Sequence, residues 1–143
     1  MLNRPTDTPV VQAAPEFGDL GEPGAVIHAG GPVEPLGLIV LAEFEDTGAA
    51  AILVHGNVGV LAAGAETESL PAAVRGARVF AGHAGWGPGQ LDAELEASGW
   101  IVEASARDDI FSAAPEELWG AVLTRKGGRY ALLARMPADP SLN

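Results

Sequence analysis

The sequence contains no cysteine, and only one of its eight basic residues is a lysine. The absence of cysteine excludes disulfide bridges, thiolate metal sites and cysteine nucleophiles, and it favours a reducing, cytoplasmic location. The shortage of bases leaves a net charge of −11 at pH 7. A surface this negative repels phosphate backbones and anionic membranes, so direct nucleic-acid binding is disfavoured.

The chain also lacks an apolar segment suited to export or membrane insertion. Residues 1–7 contain no apolar core of the kind that a signal peptide requires. Residues 48–65 carry no charge, but His55, Gly56 and Asn57 interrupt them. Two short strands joined by a turn explain this pattern better than a spanning helix, and we expect no membrane association.

The remaining pattern predicts a single α+β domain over residues 1–143. Apolar runs predict strands at residues 25–28, 36–42, 51–54, 58–62, 78–81, 100–102 and 130–134. Helices are expected after a cap at Asp7 or Thr8, weakly over 66–75, over 90–98, and from Pro115 to Gly127. Because many connections are short, we expect largely antiparallel neighbours in a mixed sheet.

A glycine-dense loop, residues 82–89, lies between a predicted strand and a predicted helix. Such a loop can direct backbone amides towards an anion at the helix N-terminus. The spacing of its glycines matches neither the dinucleotide fingerprint nor the phosphate loop, and the helix that follows is acidic. We therefore favour a tight turn in which Trp86 packs over the sheet, with ligand binding as the alternative.

No motif for catalysis or metal binding is recognisable in the sequence. His28, His55 and His83 each follow a strand-like run, and strand ends can converge, but their spacing fits no metal motif. None of the serines lies in a nucleophile motif, and the paired acids fit a solvated face better than a cation site. We predict no metal, no cofactor and no catalytic residue.

Half of the basic residues lie within eleven positions near the C-terminus: Arg125, Lys126, Arg129 and Arg135. This basic cluster is the one place where nucleic acid or an acidic partner could dock. Two of its members close a predicted helix, where the helix dipole favours cations, and Tyr130 is the one aromatic residue among them. We favour a structural role for the cluster over a docking role.

Several short segments, in order along the chain, resemble the AlgH/YqgE family of bacterial proteins. They are Leu2-Asn3-Arg4-Pro5, Gly30-Gly31-Pro32-Val33, Gly82-His83-Ala84-Gly85-Trp86, Gly89-Gln90-Leu91 with Glu94 and Trp100, and Leu118-Trp119. The part from Gly82 to Trp100 is distinctive, whereas the match is loose between about residues 34 and 75. The motifs give a candidate patch for a ligand or partner: Gly30, Gly31, His83, Gly85, Trp86, Gly89 and Gln90.

The resemblance implies bent sheets that form a barrel-like core with three to four flanking helices, in a bacterial cytosolic protein of a kind labelled a transcriptional regulator. Family members have a segment before Leu-Asn-Arg-Pro that supplies further strands, whereas this chain starts at Met1. Either translation starts upstream or the protein is truncated. In a truncated protein we expect an exposed sheet edge, and therefore lower stability or oligomerisation.

Three functions are compatible with these observations. The first is a non-enzymatic regulatory or protein-interaction domain with a protein partner, favoured by the resemblance and by the missing catalytic motif. The second is direct DNA binding through the basic cluster, which the net charge opposes. The third is a protein that binds a small ligand or an anion, or an enzyme, using the loop from Gly82 to Gln90. We expect the first.

Overall fold

The computed structural model describes residues 4–65 and 70–136. Its strands are β1 (Arg4–Pro9), β2 (Val26–Ala29), β3 (Val33–Phe44), β4 (Ala50–His55), β5 (Val58–Leu61) and β6 (Val74–His83). Its α-helices are α1 (Val10–Ala13), α2 (Leu70–Ala73), α3 (Gln90–Glu96), α4 (Arg107–Ile110), α5 (Leu118–Lys126) and α6 (Gly128–Leu133). Single 3-10 turns lie at Pro15–Phe17 and Thr47–Ala49.

The six strands form one sheet in the order β1-β2-β6-β3-β5-β4. Four of the five neighbouring pairs are antiparallel, and the β2–β6 pair is parallel. The expected α+β fold with a mixed, largely antiparallel sheet is therefore confirmed. The sheet is open, with β1 and β4 at its edges, so the barrel-like core implied by the resemblance is not confirmed.

The sheet buries side chains on both faces, because alternate residues of a strand point to opposite sides. One face carries the larger apolar cluster: Val10, Ala14, Leu20, Ile27, Val40, Ala42, Phe44, Leu70, Val74 and Val79. The other face carries a smaller cluster of Leu41, Val58 and Phe80. Ile110, at the end of α4, and Phe111, directly after it, pack against this cluster. Phe44, on the central strand β3, is only 1% exposed.

The strands predicted between residues 25 and 81 are present, and the two central ones, β3 and β6, are longer than expected. The predicted hairpin is the β4–β5 pair, with its turn at Gly56 and Asn57. None of the helices within the described ranges has the length and apolar content that a membrane crossing requires.

For the first half of the chain, one prediction is wrong and another is confirmed only in part. Asp7 and Thr8 belong to β1, so neither caps a helix, and Pro9 precedes α1 with no side-chain cap. The weak helix predicted over 66–75 is reduced to α2, because Val74 already pairs with Phe44 as part of β6. Residues 66–69 of that prediction lie outside the described residues.

Near the C-terminus, the two predicted strands are not formed. Residues 130–134 follow Gly127 and Gly128, whose φ angles of 77° and 55° turn the chain from α5 directly into α6. Residues 100–102 pair with no strand and lie exposed after α3. The last long helix begins at Leu118 rather than Pro115. The described residues therefore form six short helices instead of the three or four expected.

Candidate functional site

Two glycine motifs of the sequence cross each other at one end of the sheet. Gly30 follows β2 and donates its N–H to the carbonyl oxygen of Ala81 at 2.8 Å. A Cβ at Gly30 would lie 1.9 Å from the carbonyl oxygen of Gly82, and one at Gly31 would lie 2.2 Å from the carbonyl carbon of His83. Glycine is required at both positions because two backbones approach too closely for any side chain.

The loop that follows β6 is closed by contacts within the chain. Gly89 has a left-handed φ of 73° and leads into α3. The side-chain oxygen of Gln90 accepts the backbone N–H of Gly87 at 3.1 Å, so this amide is not directed at a ligand. α3 is only seven residues long and carries Asp92 in its first turn, which opposes an anion. The geometry of the loop does not favour anion binding.

A single carboxylate holds two tryptophans together beside this loop. Glu94 Oε2 accepts the indole N–H of Trp86 at 3.1 Å and that of Trp100 at 2.6 Å, while Oε1 accepts the side-chain amide of Gln90 at 2.9 Å. The two indole rings meet edge to face, with centroids 5.7 Å apart and planes inclined by 68°. We call Trp86, Gln90, Glu94 and Trp100 the tryptophan clamp.

The environment of Glu94 favours its charged form. Hydrogen bonds from Trp100, Gln90 and Trp86, in decreasing order of effect, hold the pKa of Glu94 below its ordinary value. A tight turn after α3 places Trp100 next to Glu94. In this turn, the N–H of Gly99 donates to the backbone carbonyl of Glu94 at 2.8 Å. The clamp is therefore fixed by both side-chain and backbone hydrogen bonds.

The tryptophan clamp borders an apolar surface that the fold leaves exposed. α3 buries none of its residues, so Leu91 and Leu95, which form one apolar face of the helix, are 37% and 39% exposed. Trp86 and Trp100 are 39% and 49% exposed. A groove of about 430 Å³ lies beside Trp100, between α3 and α6, and is lined by Leu95, Ser98, Trp100, Ile101, Val102, Arg129, Tyr130 and Leu133.

The basic cluster is largely engaged by neighbouring groups. Arg125 donates to both carboxylate oxygens of Asp109, at 2.8 and 2.6 Å, and these bonds lower the pKa of Asp109. Lys126 donates to Glu103 at 3.1 Å and to the carbonyl of Val102 at 2.6 Å.

The other two residues of the basic cluster, Arg129 and Arg135, lie in α6 and directly after it. Arg129 donates to the hydroxyl of Tyr130 at 2.9 Å and lies 4.9 Å from the centre of its ring. Arg135 lies in the turn after α6. Arg125 and Lys126, paired to carboxylates, therefore fix α4 and the segment before it against α5.

The three histidines do not come together. His28 lies in β2, His83 at the end of β6, and His55 at the end of the edge strand β4. In the part of the chain that the structure describes, no group of three possible ligands is placed to hold a metal ion. His55 Nδ1 lies 3.2 Å from the hydroxyl oxygen of Ser105, but both residues are exposed on the surface and neither lines the groove.

A second concave region, which the sequence did not predict, lies along the first half of β6, away from the contacts of Gly30 and Gly31 with Gly82 and His83. This cavity of about 590 Å³ is bounded by the loop before β2, the start of β6 and the residues after α4. His28 lines it, and burial, assisted by the charge of Arg78, holds the pKa of His28 below its ordinary value. Arg78 donates to the carbonyls of Ile110 and Ser112 at 3.1 and 2.6 Å.

Comparison with known proteins identifies the family. The model of the AlgH-like family (DUF179) matches residues 1–131. The chain belongs to this family. It is 44% identical to the UPF0301 protein SCO2948 of Streptomyces coelicolor, over 100% of this chain and 77% of the relative. It is 36% identical to a UPF0301 protein of Mycobacterium tuberculosis, over 100% of this chain and 73% of the relative.

Two solved structures share the fold of this AlgH-like chain. The crystal structure of DIP2367 from Corynebacterium diphtheriae superposes with a TM-score of 0.80 at 26% identity, over 94% of this chain and 73% of that one. The solution structure of AlgH from Pseudomonas aeruginosa gives 0.66 at 23% identity, over 96% and 76%. At this identity, the likeness to AlgH of Pseudomonas shows the fold alone.

Two of the AlgH-like motifs, Gly30-Gly31 and the segment from Gly82 to Trp100, form one structural unit. Gly30 and Gly31 cross the chain at His83, while Trp86, Gly89 and Gln90 form the loop and start of α3 that follow, with Gly85 between them. The candidate patch omitted Glu94 and Trp100, although the spacing of Gln90 and Glu94, four residues apart in a predicted helix, places both side chains on one face.

Proposed function

We propose that this AlgH-like chain is a non-enzymatic, regulatory protein-interaction domain whose contact surface is α3 with its two flanking loops. The observation that carries the proposal is the exposed apolar face of α3, which continues through Trp100 into the groove. A helix of a monomeric domain normally buries its apolar face, and an exposed face of this kind is typical of an interaction site.

The rigidity of the tryptophan clamp supports this proposal. Tryptophan is enriched among the residues that dominate binding at protein interfaces, and preorganised side chains lose little entropy when a partner binds. Glu94 fixes Trp86 and Trp100 through their indole N–H groups, so both rings are already held in place while a large part of their surface remains accessible.

The alternatives have weaker support. Direct DNA binding requires basic groups directed at phosphates, whereas Arg125 and Lys126 bind carboxylates of this chain and the net charge is −11. A serine enzyme requires a base oriented by a third group beside a substrate cavity. The contact between Ser105 and His55 lies on the exposed surface instead.

The test is quantitative capture of partners from native cells with tagged protein. We expect the double variant Trp86→Ala with Trp100→Ala to capture about tenfold less partner protein, or less still, because these residues form an interface hot spot. Trp119→Ala is the matched control, because Trp119 is 57% exposed but lies on α5. Equal capture by all three proteins, or no reproducible partner of the unaltered protein, contradicts the proposal.

A second candidate is small-ligand binding, and the cavity beside His28 favours it more than the glycine loop does. Its volume of about 590 Å³ lies in the range of ligand sites. Because Nδ1 of His28 lies 3.1 Å from the carbonyl of Val26, the neutral ring donates there and presents Nε2 as an acceptor. A thermal-shift screen tests this: stabilisation by a small molecule that disappears in His28→Gln supports it, and no stabilisation at millimolar ligand refutes it.

A further inference from the structure

We propose that a looped-out segment of one copy of this chain, residues 34–37, docks into the groove between α3 and α6 of a second copy. The proposal rests on the proposed function, because the groove borders Trp100, and it adds what occupies the groove. Two features of the same chain carry it: an exposed leucine, Leu36, on the looped-out segment, and an apolar groove that contains one cation. The two surfaces are complementary in polarity and in charge.

Residues 34–37, which we call the β3 bulge, are looped out of strand β3. This strand pairs with β6 at Val33 and again at Leu38, but the four residues between them lie opposite Gly82 alone. Within the bulge, Glu34 has a left-handed φ of 47°, which is a strained conformation for a residue with a side chain. Bulges of a strand re-aim side chains, and they are over-represented beside functional sites.

Leu36 is the apolar side chain that the β3 bulge presents to solvent. It is 94% exposed, the highest value among the large apolar residues that the structure describes. One exposed apolar side chain is ordinary on a protein surface, but here a strained backbone holds it in solvent. A side chain that is already held in place loses little entropy when a partner buries it. Leu36 therefore has the properties of an anchor residue.

The groove offers a matching receptor for this side chain. Its volume is about 430 Å³, and six of the eight residues that line it are apolar or aromatic, so it favours an apolar occupant. Leu36 is not one of them. Because the β3 bulge does not fill the groove of its own chain, the contact requires a second copy.

The charges on the two surfaces are opposite. Arg129 is the one charged residue among the described residues that line the groove; it donates to Tyr130 and forms no ion pair within the described ranges. Glu34 lies two residues before Leu36 and also has no ion pair there. A carboxylate beside a guanidinium fixes the register of a contact. At physiological salt, where the Debye length is about 8 Å, the general repulsion between two copies of charge −11 is largely screened.

The absence of cysteine allows a direct test by disulfide cross-linking. One protein carries Leu36→Cys, and the protein mixed with it carries Ser98→Cys or Val102→Cys in the groove. Because a disulfide requires Cα atoms within about 7 Å, a mixed cross-link shows that the β3 bulge of one copy reaches the groove of another. The control replaces the groove cysteine by Val54→Cys, which is 57% exposed on the edge strand β4. We expect a cross-link with at least one groove variant and only background with the control.

Sedimentation equilibrium at physiological salt measures the same contact without a covalent bond. Leu36→Ala should weaken self-association by about tenfold or more, because it removes most of the buried side chain. Ile52→Ala is its control, since Ile52 is 60% exposed but lies on β4. Glu34→Arg and Arg129→Glu should each weaken self-association, and the double variant should recover it, because the charge pair is then inverted. Circular dichroism checks that each variant is folded.

Four results overturn the inference: a parent that stays monomeric at every concentration, self-association that Leu36→Ala leaves unchanged, no recovery in the charge-inverted double variant, or groove cysteines that cross-link no better than Val54→Cys. These results leave the proposed function intact if capture of cellular partners still depends on Trp86 and Trp100. Conversely, if two copies associate through the groove but no cellular partner is captured, the proposed function fails and the self-association remains.

Discussion

The strongest quantitative prediction concerns the glycine crossing, where Gly30 and Gly31 pass close to the backbone of Gly82 and His83. In Gly30→Ala, the new methyl group would lie 1.9 Å from the carbonyl oxygen of Gly82, and 3.3 Å from that of Ala81. Contacts below 3.0 Å force atoms to move, and here the obstructing atoms belong to the backbone of the central strand β6 rather than to a flexible side chain.

The expected loss of stability follows from this geometry. Overpacking a rigid site destabilises a protein by about 1–3 kcal/mol and sometimes more, and backbone obstruction places Gly30→Ala at about 3 kcal/mol. A domain of this size has a total stability of about 5–15 kcal/mol, so the variant should remain folded but be clearly weakened. With a urea m-value of about 1–3 kcal/mol/M, the unfolding midpoint should fall by about 1–3 M.

Gly120→Ala is the matched control. Gly120 lies inside α5, and a Cβ there meets nothing within 4 Å. Alanine is the better helix former, so this variant should be more stable than the parent by about 1 kcal/mol. Urea unfolding followed by circular dichroism measures both. If Gly30→Ala unfolds within about 0.5 kcal/mol of the parent, the crossing is not as tight as described and the reasoning is refuted.

Three further predictions concern the core, the clamp and the cavity. Phe44→Ala removes the largest fully buried side chain and should lower the free energy of unfolding by about 3–5 kcal/mol in urea; a loss below about 1 kcal/mol contradicts the assigned core. Because the pKa of Glu94 is lowered, the clamp should be intact above the ordinary carboxyl pKa and open as the pH falls through the lowered value. Tryptophan emission should then shift to the red, and Glu94→Gln should lack this transition. The pKa of His28 is also lowered, so stability should fall as the pH drops below about 6.5, and this fall should be smaller in His28→Gln than in His55→Gln.

Local signals in the sequence predicted the fold class and most of the sheet. The uninterrupted apolar run at residues 36–42 and the Gly56-Asn57 turn are short-range patterns, and both correspond to real elements, β3 and the β4–β5 hairpin. The lengths of β3 and β6 were underestimated because each strand continues beyond its apolar run, held by pairing with the other. Such pairing is a long-range property that a local pattern does not contain.

The errors near the C-terminus have a different cause. Residues 130–134 are apolar and short, which fits a strand and a helix equally well. The decision lies in Gly127 and Gly128, whose positive φ angles reverse the chain after α5. Helix α5 also exposes part of its apolar face, since Trp119 is 57% exposed whereas Leu123 is buried. A sequence reveals that a helix has an apolar face, but not whether another element covers it.

The sequence predicted which residues belong to the candidate site, but not which contacts join them. The glycine pairs and the Gly-Trp and Gly-Gln motifs marked residues that the fold does bring together. Two contacts explain why these residue types are needed: two backbones cross at the glycines, and one carboxylate is shared by two indoles. Both contacts join residues that are apart in the sequence, so a local pattern does not reveal them. The cavity beside His28 was missed because its walls come from three separate segments of the chain.

The accessibility of the tryptophans inside native cells tests the central claim most directly. Hydroxyl-radical footprinting compares the oxidation rates of Trp86, Trp100 and Trp119 in cells with those in the purified protein. If the clamp is an interaction surface, Trp86 and Trp100 should be protected in cells, while Trp119 should oxidise at the same rate in both settings. Oxidation of Trp86 and Trp100 in cells as fast as in the purified protein contradicts the account.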